Sequence, residues 1–144
     1  MNDINPNLPD WIRDHLERYI ATDGADGHIW RGVPTLLLTT RGRKSGRWLT
    51  LPLIYGRDDD RYVIVASKGG HLDHPAWYKN LEADPEVRLQ VAADKFDARA
   101  RNAEGEERRR LWSLMTDIWP QYDEYQEATD REIPVVVLEP VTPS

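Results

Sequence analysis

Residues 41–50 read RGRKSGRWLT, with Arg41, Arg43, Lys44 and Arg47 and no acid. Gly42 and Gly46 frame Arg43, Lys44 and Ser45. Glycine lets backbone N–H groups turn toward an anion while the side chains supply charge. Four cations this close repel one another without an anion, so the pattern reads as a phosphate or polyanion cradle. The competing reading is a solvated basic turn. It is not a Walker A loop, because G-x-x-x-x-G-K-S/T is absent. A second cluster, His71-Leu72-Asp73-His74, has metal-ligand chemistry but too few ligands, and His15 and His28 have no ligand spacing; no metal is expected. Ser45, Ser67 and Ser113 lack a G-x-S-x-G nucleophile elbow. Tyr122 and Tyr125 fall in a polar segment, PQYDEYQEATDR, where hydroxyls can meet a ligand while the rings cover it.

The charge balance sharpens the cradle. The chain has 144 residues, 19 Lys+Arg and 25 Asp+Glu, a net charge of −6. Residues 41–50 carry +4, so the other 134 sum to −10. That remainder argues against a nucleic-acid partner. Cysteine is absent, which removes disulfides, thiol nucleophiles and cysteine-held clusters. The length and six tryptophans fit one domain over 1–144, with a helix and loop in 1–28 and a barrel in 30–140. No stretch has the roughly 20 apolar residues of a membrane span, and MNDINPNLPD has no signal-peptide pattern. The expected location is cytoplasmic, with peripheral membrane contact through the first helix as the second option.

These residues need a frame. Ile12, Leu16, Tyr19 and Ile20 form one stripe of a helix that ends at the turn 22–27. Strands are expected at 34–40, 49–55 and 62–67, with Pro52 marking an edge or bulge and 57–61 a hairpin turn. Residues 68–71 read as a loop. Asp73 is the expected N-cap of a helix over 75–83, ended by Asp84-Pro85. Strands at 87–92 and 96–101 flank a compact turn. An amphipathic helix over 104–119 ends at Pro120, and a last buried strand covers 135–138. About six strands without regular helical crossovers predict an α+β, mainly antiparallel fold, a barrel with a few peripheral helices. No G-x-G-x-x-G occurs, so a Rossmann nicotinamide site is excluded.

TTRGRKSG (39–46), PLIYG (52–56), ASKGG (66–70), HPAWYKNL (74–81), Tyr122-x-x-Tyr125-Gln126 and TDREIPVVVLEP (129–140) occur in that order. Together they resemble the deazaflavin-dependent nitroreductase family over about residues 30–140. The resemblance implies a split β-barrel of the flavin-reductase and pyridoxamine-oxidase type. It implies coenzyme F420, an 8-hydroxy-5-deazaflavin with a phosphate and an oligoglutamate tail, as hydride donor. Carried over, Arg43, Lys44 and Ser45 match the tail-binding loop, and Leu49, Thr50, Leu51, Pro52, Leu53 and Ile54 the strand lining the cofactor. Val65, Ala66, Ser67 and Lys68 match the segment near ring and phosphate. Ala76, Trp77, Tyr78, Lys79 and Asn80 match the following helix start. Tyr122 and Tyr125 match tyrosines over the substrate side. This chain has Leu49 where many members carry arginine, with Arg47 nearby; it has Trp119 where some members have tyrosine, and Ile54 where some have an aromatic residue.

The implied activity is hydride transfer to an electron-poor small molecule: a quinone, nitroaromatic or activated enone. Such a reaction needs a donor for the developing anion, and the expected groups are Ser67, Tyr122 and Tyr125. The alternatives are a non-catalytic deazaflavin or other small-ligand carrier, and an FMN-dependent oxidoreductase.

Overall fold

The computed structural model describes residues 3–4, 8–70 and 73–141, with Asp3, Ile4 and Gly69 described by backbone alone. The elements are β1 (Asp3–Ile4), α1 (Asp10–Thr22), β2 (Ile29–Trp30), β3 (Val33–Arg41), β4 (Trp48–Ile54), β5 (Gly56–Asp58), β6 (Arg61–Val65), a 3-10 turn (Lys68–Gly70), α2 (Ala76–Ala83), β7 (Glu86–Val91), β8 (Asp94–Asn102), α3 (Gly105–Ile118), α4 (Gln121–Glu127) and β9 (Val135–Pro140). The sheet runs β1-β4-β3-β7-β8-β9-β6-β5, and β2 pairs with β3. Every pairing is antiparallel except β1 with β4. The sheet curls into a half-barrel, so β4 and β6, far apart along its path, face one cavity.

The apolar runs become strands buried on both faces. From β3, Leu36 and Leu38 enter the barrel core with Ile64, Leu89, Val136 and Leu138. Leu37 points the other way, onto Leu16 and Tyr19 of α1. On β6 and β9, Val63, Val65, Val135 and Val137 meet Leu111 and Met115 of α3. Pro52 lies opposite Leu37 on β4, beyond the two-residue pairing with β1, so its missing N–H leaves no gap in the ladder. The turn after α1 docks closely: a Cβ on Gly24, at φ +85°, would stand 2.4 Å from the Ala92 Cα. The Tyr19 hydroxyl donates to the Thr35 carbonyl at 3.0 Å and accepts the Ala92 N–H at 2.7 Å, pinning the helix to the sheet.

Several expectations need correction. Ile20 is 46% exposed, because at eight residues past Ile12 the helix has rotated it off the stripe. Asp73 does not cap α2; Pro75 holds that place, and Asp73 accepts the His74 N–H at 2.9 Å and the Lys79 ammonium at 2.6 Å instead. Residues 68–70 form a 3-10 turn, and the polar segment after Pro120 is the helix α4. Among the described residues, no helix is long and apolar enough to cross a membrane. His71 and Leu72 lie outside the described residues.

Candidate active site

A cavity of about 550 Å³ opens between β4, β6, α1, α2 and α4. One wall is apolar backbone and side chain: Leu51, Pro52, Leu53 and Ile54 from β4, with Val65 from β6. Ser67, Lys68 and Trp77 line it from the segments that follow β6 and open α2. The opposite side is aromatic. Trp11 and His15 from α1, Trp30 from β2, Trp119, Tyr122 and Tyr125 close it. These rings touch in series: Trp11 stacks on Trp30 at 5.9 Å, and Trp30 meets Trp119 at 5.7 Å. The Trp119 indole N–H donates to the Tyr125 hydroxyl at 3.5 Å.

Tyr122 is 5% exposed and sits edge-on to Tyr125 at 6.2 Å. Burial pushes its phenol well above the ordinary tyrosine range, so it stays protonated and can only donate or accept as a neutral hydroxyl. The Ser67 hydroxyl has no hydrogen-bond partner among the described residues, while its carbonyl accepts from Arg131 and Gly70. The turn behind it is tight. Lys68 has φ +47°, an uncommon left-handed conformation for a side chain of its size. A Cβ on Gly70 would stand 2.8 Å from the Tyr125 carbonyl, so this glycine lets α4 approach.

The basic loop lies beside α2. The Gly42 N–H donates to the Arg47 carbonyl at 2.7 Å, and the Gly46 N–H donates to the Gly42 carbonyl at 2.8 Å. A Cβ on Gly42 would meet the Ser45 Oγ at 2.7 Å. Arg43 reaches across the gap: its Nη1 donates to the Asn80 Oδ1 at 2.8 Å and to the Ala76 carbonyl at 3.5 Å, and its N–H also reaches Asn80. Asn80 in turn donates to the buried Thr40 hydroxyl at 3.3 Å. Lys44 is exposed and forms no ion pair among the described residues.

Of the residues singled out in the sequence, Leu51, Pro52, Leu53, Ile54, Val65, Ser67, Lys68, Trp77, Tyr122 and Tyr125 line the cavity. The others stand behind or beside it. Thr50 shares a hydroxyl hydrogen bond with Thr39 at 2.8 Å inside the sheet. Leu49 pairs with Thr40 and Asp3, and Ala66 donates its N–H to the Pro134 carbonyl. The Tyr78 hydroxyl donates to Asn102 at 2.9 Å in the barrel core, and Lys79 pairs with Asp73. Ser45 accepts the Arg47 N–H at 3.2 Å.

Sequence reasoning missed Arg131. Its guanidinium donates to the Ala66 carbonyl at 3.1 Å, the Ser67 carbonyl at 2.6 Å and the His74 Nδ1 at 3.0 Å. It ties the end of β6, the approach to α2 and the approach to β9 together behind the cavity. Trp11, His15 and Trp30 were missed too, because they come from distant segments and read individually as core or loop residues.

The sequence model of F420H(2)-dependent quinone reductases matches residues 11–140. An F420H(2)-dependent quinone reductase of Mycobacterium tuberculosis (strain ATCC 25618 / H37Rv) is 41% identical over 131 residues, 88% of this chain and 88% of that one. The structure of an F420-H2 dependent reductase (FDR-A) is 44% identical with a TM-score of 0.70, over 78% of this chain and 98% of that one. A structure described as a domain-swapped dimer is 42% identical with a TM-score of 0.72, over 90% of this chain and 98% of that one. A heme storage protein from Vibrio cholerae, 19% identical with a TM-score of 0.61 over 76% of this chain and 82% of that one, shares the split-barrel fold alone. With a match from residue 11 to residue 140 and relatives above 40% identity, the chain belongs to the F420H(2)-dependent quinone reductase family, reductases whose cofactor is coenzyme F420.

Proposed function

We propose that this chain reduces quinones with reduced coenzyme F420 bound along the β4 wall, and that nitroaromatics and activated enones are further acceptors. The observation that carries the reading is an apolar, aromatic-closed cavity whose α2 side is braced to a basic glycine turn. The fit is chemical. A flat ring system suits the apolar surface of Leu51, Pro52, Leu53 and Val65. An anionic arm suits Lys44, Arg47 and the first-turn N–H groups of Ala76 and Trp77, which the helix cannot satisfy internally. Lys68 adds a cation at the cavity itself.

When bound, the reduced deazaflavin supplies the hydride. The protein supplies the rest. The β4 wall and Trp77 orient the ring, and the basic turn anchors its anionic arm. The aromatic side excludes water and holds a flat acceptor against the donor face. The Ser67 and Tyr122 hydroxyls, with Tyr125 beside them, donate hydrogen bonds to the oxygen on which charge develops.

The test is direct. Purified protein is mixed anaerobically with reduced F420 and menadione, and cofactor oxidation is followed by absorbance. Oxidation that depends on protein supports the reading. Cofactor binding without turnover on quinones, nitroaromatics or enones overturns it in favour of a carrier, and tight binding of FMN without F420 overturns it outright.

A further inference from the structure

His15 lines the cavity from α1, and nothing in the reaction above uses it. Its Nε2 stands 2.7 Å from the Gly27 carbonyl, and the Thr35 hydroxyl donates to the same oxygen at 2.7 Å. A carbonyl oxygen carries two lone pairs and no proton, so Nε2 must keep its hydrogen whether the ring is charged or neutral. Nδ1 is the nitrogen that can gain or lose a proton. It has no hydrogen-bond partner among the described residues, and it is not sealed away: the one buried side-chain nitrogen or oxygen there that lacks a hydrogen bond is the Arg108 Nε, which is ion-paired with Glu132 at 2.9 Å. The ring plane is fixed by Trp30, stacked at 6.4 Å and 13°, and by Tyr19 at 6.3 Å. Gly27, at φ +119°, brings its carbonyl to the ring; a Cβ there would stand 3.1 Å from the His15 Cδ2. The imidazole is therefore held with one nitrogen committed and the other open.

Quinone reduction creates a need for such a group. Hydride addition leaves an oxyanion on the acceptor, and a neutral hydroquinone requires one proton more. Among the described residues, no carboxylate lines the cavity. The buried Tyr122 phenol and the Ser67 hydroxyl are weak acids near neutrality. Imidazole is the one side-chain type on this lining whose ordinary titration falls between about pH 5 and 8.

We propose that His15 is a catalytic acid for the acceptor: its imidazolium gives the Nδ1 proton to the acceptor oxygen as the hydride reaches the acceptor. The balance closes with one hydride and one proton gained by the acceptor, the deazaflavin oxidised by two electrons with its remaining ring proton passing to solvent, and His15 left neutral with its Nε2–H still on Gly27. Solvent then returns the proton. The inference rests on the F420H2-dependent reading above. Charged groups facing the ring are Arg31, 4.6 Å over the far partner Trp30, and Lys68 across the cavity. The uncharged titratable groups are Tyr19, Tyr122 and Tyr125, and on α1 Asp14 is paired with Arg18 at 2.9 Å.

His15→Gln keeps an N–H for the Gly27 carbonyl but has no proton to transfer. Single-turnover oxidation of reduced F420 by menadione is measured from about pH 5 to 9, across the imidazole range, for both proteins. The wild-type rate is expected to fall as pH rises through that range. The variant should be about 100-fold slower at the acid end and lack that fall. Menadione quenching of tryptophan fluorescence should be the same within twofold in both. Nitrogen-15 NMR of the cofactor-free wild-type protein at high pH should show His15 as the Nε2–H tautomer. A variant with the wild-type rate and pH profile, or an Nδ1–H tautomer, overturns the proposal. Wild-type protein that oxidises no reduced F420 with quinone overturns the parent reading as well, so the two failures are distinct.

Discussion

Asn80 is the hinge between the basic turn and the helix that opens onto the cavity. Its amide accepts two hydrogen bonds from Arg43, one of them from the guanidinium, and donates one to Thr40. Asn80→Leu keeps the volume and removes all three. The charged bond at 2.8 Å is the strong one; the other two, at 3.3 Å, are long. The exposed Arg43 recovers water, but the buried Thr40 hydroxyl loses a partner, so the cost should be about 2 kcal/mol. At this chain length that lowers Tm by about 4–8 °C. A turn no longer docked must be ordered by the ligand, at roughly 1–2 kcal/mol per residue fixed, so F420 affinity should fall by about tenfold. Asn80→Asp separates the two effects. It restores the acceptor for Arg43 and the Tm, but sets a negative charge beside the turn and still weakens an anionic ligand. The assays are differential scanning fluorimetry and titration of F420 fluorescence. Asn80→Leu with Tm unchanged and affinity within twofold would show that Asn80 does not hold the turn in place.

Other outcomes follow from the same structure. Lys44→Glu reverses an exposed charge that has no ion pair among the described residues, and should weaken F420 binding by about tenfold at low ionic strength and less at high, because salt screens exposed charges; titration at two salt concentrations checks it. Gly24→Ala meets both a left-handed backbone and the Ala92 backbone at 2.4 Å, and should cost about 3 kcal/mol or more, read as a loss of Tm with α1 unseated. Asp58 is held below the ordinary carboxylate range chiefly by its hydrogen bond from Arg110, and Glu107 by that from Arg101. Depressed folded values mean stability that is present above the ordinary carboxylate range and lost as pH falls through the folded ones, so Tm should drop steeply below about pH 4. Asp58→Asn should flatten part of that acid limb, which a pH series of melting curves measures.

The barrel strands were legible because β3, β6 and β9 each hold a short apolar run (residues 36–38, 62–65 and 135–138) and the β7–β8 hairpin alternates. β2 was not, since two residues carry no period. α4 was not, because QYDEYQE has only Tyr122 and Tyr125 to bury and takes its shape from docking on the 68–70 turn. The cation count marked out the basic turn, but not that Arg43 turns back onto Asn80. Spacing along α1 put Leu16 and Tyr19 in the core, yet the second stripe of Leu8, Trp11 and His15 gains meaning only when Trp30 and Trp119 arrive from elsewhere. Arg131 stands between Asp130 and Glu132 before β9 and reads as one of three surface charges, and its three acceptors are brought together by the fold alone.

The proposed function requires this cavity to pass a hydride from reduced F420 to a quinone. Anaerobic stopped-flow mixing of the F420H2-loaded protein with menadione tests it most directly. Cofactor oxidation should be stoichiometric, saturate with menadione and slow when Lys44→Glu weakens loading. Bound F420H2 that persists unchanged in the presence of excess menadione would contradict it.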